Sequence, residues 1–125
     1  MKKKMTVFIL VALVLGMAAI AVAAMVTGTV TGTGSAINVS LGFTPKWVHV
    51  TNMVNGSSMD WNDSMAAGKT VLVTGSAISN TSTQIISSGG ISKYAGDSSN
   101  SAGFTIGNNA KVNILSNSIS YEAGR

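Results

Sequence analysis

The sequence predicts an all-β fold: an antiparallel β-sandwich or jelly-roll-like domain over residues 26–125, preceded by one N-terminal hydrophobic helix within residues 1–25. Three observations lead there. Apolar and polar residues alternate with period two in several short runs. Clusters of Gly, Ser, Asn and Asp separate those runs. No stretch after residue 25 carries the apolar spacing of an amphipathic helix of useful length, and the segment is rich in Ser, Thr, Asn, Gly and Val with a single proline.

The N-terminal element comes first. Val7 to Val26 is an apolar run of 20 residues behind Lys2, Lys3 and Lys4. As a helix it would measure roughly 30 Å, enough to cross a bilayer, and the lysines would stay on the cytoplasmic side. The same residues parse as a secretory signal, with an apolar core from Val7 to Leu15 and Ala21-Val22-Ala23 as a small-x-small cleavage site. Cleaved signal, retained anchor and translation from Met25 all remain open. The retained anchor would make the membrane a partner through residues 7–26, and both of the first two place the C-terminal domain outside the cytoplasm.

The strands follow in order. Val26, Gly28, Val30 and Gly32 share one face and Thr27, Thr29, Thr31 and Thr33 the other; this light Thr/Gly strand, weakly specified in register, is expected at a sheet edge where a neighbouring subunit can pair. Ile37, Val39 and Leu41 alternate with Asn38 and Ser40. Val48, Val50 and Val54 oppose Trp47, His49, Thr51 and Met53. Further runs at 70–74, 83–87, 103–106, 111–115 and 118–123 bring the expectation to eight or nine short strands. Such spacing is the pattern of a two-layer or barrel-like β-domain.

The segments "LGFTPKWVHVTN" (41–52), "MDWNDSMAAGKTV" (59–71), "SSGGISKYAG" (87–96), "GFTIGNNAKVN" (103–113) and "ISYEAGR" (119–125) resemble a group of small β-rich proteins encoded among the structural genes of tailed bacteriophages and prophages. The shared features are a GFxP-aromatic-Val strand, a Trp-containing hairpin followed by Met-Ala-Ala-Gly, a GFxIG strand and a short Tyr-containing terminal strand. The resemblance covers nearly all of residues 25–125. It implies a virion or virion-associated component, a class whose members often have no assigned activity. The expectation for this chain is a structural, non-enzymatic domain that forms homo-oligomers and contacts other virion proteins. The chain departs from that pattern in carrying residues 1–24, since members of the group usually begin near the position of Met25.

Composition narrows the chemistry. Lys2 to Lys4 supply three of the eight cations. From residue 25 onward Lys46, Lys69, Lys93, Lys111 and Arg125 face Asp60, Asp63, Asp97 and Glu122, a net charge of +1 that leaves no basic patch for nucleic acid. The absence of cysteine excludes disulfides and Cys-ligated zinc.

Each chemical motif has a plainer structural reading. Gly68-Lys69-Thr70 looks like the end of a phosphate loop, but Asp63 stands where its first glycine belongs and Val71-Leu72-Val73 reads as strand, not helix. Asp60, Asn62 and Asp63 offer oxygens to a calcium ion, off the EF-hand spacing. His49 is the only histidine, so one Ser-His-Asp triad at most is available, and it lies mid-strand without an oxyanion turn. Asp97 and Glu122 are the alternative acid pair for glycoside hydrolysis, with nothing in their spacing to support it. Phe43, Tyr94, Phe104 and Tyr121 read as core and rim. No catalytic, cofactor-binding or metal-binding residue is assigned; Trp47, His49 and Trp61 are the candidate interface residues. The expected location is the virion, with an exported or membrane-anchored binding module, such as an adhesin or pilin-like subunit, as the alternative. The pilin form lacks the usual processing site ahead of its apolar run.

Overall fold

A computed structural model describes residues 25–76 and 79–125. They form nine strands: β1 (Met25–Thr31), β2 (Ile37–Ser40), β3 (Trp47–Asn52), β4 (Ser58–Asn62), β5 (Thr70–Ser76), β6 (Ser79–Ile86), β7 (Ile91–Tyr94), β8 (Gly103–Ile106) and β9 (Ser118–Gly124). All described pairings are antiparallel, giving a six-stranded sheet in the order β1-β9-β3-β4-β5-β6 and a three-stranded sheet in the order β2-β8-β7. The described part is therefore all-β. The predicted N-terminal helix lies outside the described residues, except that Met25 and Val26 open β1. Among the described residues no helix is long and apolar enough to cross a membrane.

The period-two alternation sets what each strand buries. Along β3, Val48 and Val50 point into a core and Trp47, His49 and Thr51 point out. Along β4, Met59 and Trp61 point in while Ser58, Asp60 and Asn62 point out. Both sheets feed one apolar core: Val48, Val50, Met59, Trp61, Leu72, Ile119 and Ala123 come from the larger, and Val39, Ile91, Phe104 and Ile106 from the smaller. Each fully buried Val, Leu, Ile, Phe or Met side chain contributes about 1.5–3 kcal/mol.

Four sequence expectations change. Val54 does not continue the inner face of β3; that place belongs to Asn52, which is fully buried, and Val54 stands exposed in the turn that follows. Residues 111–115 are not a strand. The side chain of Asn109 accepts from the N–H groups of Lys111 and Val112, its carbonyl accepts from Asn113, and the segment winds into turns that drop Val112 into the core and leave Leu115 exposed. β4 and β7 are strands where the sequence reading had only a hairpin and a motif. The Thr/Gly strand does lie at a sheet edge, but its register is firmly set: a Cβ at Gly28 would collide with the ring of Tyr121, and one at Gly32 with the carbonyl of Ile114. Sliding β1 by one residue would drive a threonine into each of these seats and turn its valines to the other face.

Trp61 is the one buried side chain with an orphaned polar atom, since its indole N–H has no protein acceptor among the described residues. A buried, unmatched donor carries a desolvation penalty of about 1–3 kcal/mol. Trp61→Phe removes that penalty while giving up some contact area. The expected result is an unfolding free energy within about 1 kcal/mol of the parent by urea denaturation, far less than a change of this size normally does in a core.

Candidate functional site: the outer face of the larger sheet

The register of the six-stranded sheet draws one polar row across its solvent face. Glu122 of β9 stands opposite His49 of β3, and His49 opposite Asp60 of β4. The row continues to Thr27 on one side and Val71 on the other. His49 and Asp60 are 37% and 52% exposed in their side chains, so the row is an open surface and not a cleft.

Within it, the Asp60 carboxylate meets Nδ1 of His49 at 2.5 Å, and the Thr51 hydroxyl lies 3.0 Å from Nε2. With a neutral ring, Nδ1–H donates to Asp60 and Thr51 O–H donates to Nε2. The order carboxylate, imidazole, hydroxyl is that of a nucleophilic triad. What a triad also needs is a pair of free N–H groups beside the attacking oxygen. Here the N–H groups following Thr51 are spent in the sheet, that of Asn52 on the Ser57 carbonyl and that of Met53 on the Ser118 carbonyl. The arrangement fixes the rotamers of three side chains on a flat face, which gives that face a defined hydrogen-bonding pattern.

Trp47 shares this face. Its indole lies against Gly124, where a Cβ would strike the ring, and Arg125, next to Gly124, sits 4.7 Å over the ring of Phe43. Trp61 does not: it is 3% exposed and points into the core. Of the three candidate interface residues, the structure thus brings Trp47 and His49 onto one surface and puts Trp61 beneath it.

The remaining candidates are dispersed. Asn62 accepts from the N–H of Ser64, shaping the turn after β4, and Asp63 donates its N–H to the Lys46 carbonyl. Among the described residues, no three His, Asp or Glu side chains converge to hold a metal ion. Gly68-Lys69 forms a turn, Gly68 having φ +77°, and leads straight into β5. Phe104 is buried and meets the ring of Tyr121 edge-on at 5.5 Å.

Glu122 stands in β9 of the larger sheet and Asp97 outside both sheets, where it has other employment. In the loop after β7 its carboxylate accepts from the N–H groups of Ser99 and Asn100 and from the Tyr94 hydroxyl. The Ser99 N–H, then the Tyr94 hydroxyl and the Asn100 N–H, hold its carboxyl below the usual carboxylate range. Loss of water around Tyr94, with the bond to Asp97, moves that phenol above its ordinary range. A depressed carboxyl contributes stability above its unfolded value and loses it as pH falls through the folded one. The loop between β7 and β8 is expected to hold through mild acid and loosen only below the ordinary carboxylate range, read as the chemical shifts of Ser99 and Asn100 amides followed down the pH scale. Asp97→Asn should remove that acid transition.

Two buried loop anchors escaped the sequence reading. Asn52 and Asn113 are buried amides at 0% and 1% exposure that fasten the loops at one end of the domain. Their signal is faint, since asparagine is frequent along the chain. Comparison with known protein families, with curated proteins and with solved structures finds no match.

Proposed function

We propose that this chain is a non-enzymatic structural or decoration protein of a bacteriophage particle, working through contacts with copies of itself and with other virion proteins. The observation that carries the reading is where the motif residues fall. Phe104, Trp61 and Gly103 serve the core and close strand approach, Gly68 and Gly89 serve turns, and none of them converges on a site. What remains for function is surface: a wide sheet with a fixed polar row through Glu122, His49 and Asp60 and, among the described residues, unpaired edges. The two facing sheets and the sequential run β3-β4-β5-β6 support a sandwich over a jelly roll.

The apolar run ahead of Met25 favours a second reading, an exported or membrane-anchored binding module of adhesin or pilin-like type. Mass spectrometry separates the two. The virion reading expects the chain in purified particles and not in the envelopes of uninfected cells; the opposite distribution rejects it. The intact mass of the natural protein then tells whether residues 1–24 remain.

A further inference from the structure

We infer that β1 is a self-pairing edge, through which two copies of this chain join their six-stranded sheets about a two-fold axis. This deepens the contact-module reading above and takes from it only the premise that the domain works by association.

Among the described residues, four edges end the two sheets: β1, β6, β2 and β7. Natural sheets blunt their edges with short strands, lysines or bulges. β2 and β7 are four residues long, β7 carries Lys93, and the ladder from β5 to β6 shifts register between Thr74 and Ser76. β1 has none of these devices. Its seven residues include no charge and no proline, and they pair with β9 without interruption.

The free side of β1 can be read from the ladder. Gly32 exchanges both its backbone bonds with the β9 side, to Asn117 and Ser116, and Ser118 turns its carbonyl away to Met53. Since backbone groups alternate sides along a strand, Gly28 and Val30 face β9, while Thr27 and Thr29 direct N–H and C=O outward. Among the described residues nothing pairs with these outward groups.

The sequence of the strand suits a copy of itself. Val26-Thr27-Gly28-Thr29-Val30 reads the same in both directions. With a two-fold axis through Gly28, antiparallel pairing sets Val26 opposite the second copy's Val30 and Thr27 opposite its Thr29, so β-branched residues meet their own kind on both faces. Cross-strand pairs of this sort are favourable, and no like charges oppose. Val26 and Val30 are half-buried in the single chain, so the second copy would complete their cover. The chains enter the joined sheet from opposite ends.

The test uses the full chain, whose lack of cysteine makes introduced thiols clean reporters. Light scattering should give twice the chain mass. The double variant Val26→Cys/Val30→Cys should form a reducible dimer under mild oxidation, while either single variant should not, because each residue faces the other and not itself. Thr29→Pro deletes only an outward N–H and should yield monomer with unchanged circular dichroism; Thr27→Lys/Thr29→Lys should do the same by setting like charges together. A monomeric parent overturns the inference. So does a larger assembly that keeps its mass in the Thr29 and Lys variants and forms no Val26→Cys/Val30→Cys bond, which is how association through residues 7–24 would behave. Either failure leaves the particle-composition test of the virion reading untouched.

Discussion

Asn113→Ala is expected to lower the unfolding free energy by about 3 kcal/mol or more, because one side chain answers four backbone groups at once. Its Oδ1 accepts from the N–H groups of Thr33 at 2.9 Å and Gly34 at 3.2 Å, and its Nδ2 donates to the carbonyls of Ser35 at 2.6 Å and Gly107 at 3.0 Å. That uses the full capacity of an amide. The turn between β1 and β2 is thereby tied to the segment that leads into β9. Truncation leaves two donors and two acceptors without their partner at a position 1% exposed. Asn113→Asp should be at least as damaging: the shape is kept, but a carboxylate oxygen would confront two carbonyls. Urea unfolding of both variants beside Asn117→Ala, a more open position, checks the expectation. A loss below about 1 kcal/mol for Asn113→Ala would mean the loops hold their form without it.

That residue also marks where sequence reading stops. The β-architecture is legible because alternation is a local signal: Ile37 with Val39, Val48 with Val50 and the run into β8 each declare a face within a few residues. β4 carried the same signal in Met59 and Trp61, masked by the polar residues between them and by the turn chemistry of Asn62. The failure at 111–115 is of another kind. "KVNIL" alternates as a strand should, yet no neighbouring edge takes it as one: Asn109 accepts from the N–H groups of Lys111 and Val112, and Asn55 and Asn52 donate to the carbonyls of the same two residues. Which of many asparagines is buried depends on partners up to 80 positions away, which periodicity does not encode.

The candidate surface was legible in part for the same reason. Trp47 and His49 occupy one parity of β3, so their shared face follows from spacing alone. Their neighbours Asp60 and Glu122 come from β4 and β9, and only the register of the assembled sheet places them in the row. Trp61 has the opposite parity to Asp60 and goes inward with Met59. An aromatic residue flanked by Asp60, Asn62 and Asp63 invites a surface reading, while alternation within β4 decides against it.

Phe104→Ala is expected to lower stability by about 3–5 kcal/mol, the usual range for deleting a buried aromatic ring, against a typical total of about 5–15 kcal/mol. Phe104 is fully buried on β8, the central strand of the smaller sheet, with Val39 opposite it on β2 and Lys93 opposite on β7. Its ring meets Tyr121 edge-on, and Tyr121 in turn roofs Gly28 of β1. The effect should therefore travel across the core to the sheet edge. In the variant, the amides of Gly28 and Val30, which point towards β9, should lose more protection from hydrogen exchange than the amide of Met59 in β4. Phe104→Leu keeps most of the apolar volume and should lose markedly less stability while still freeing Tyr121. A uniform loss of protection in both variants would show that β1 is held by its backbone ladder alone, and that the Tyr121 seat does not set its register.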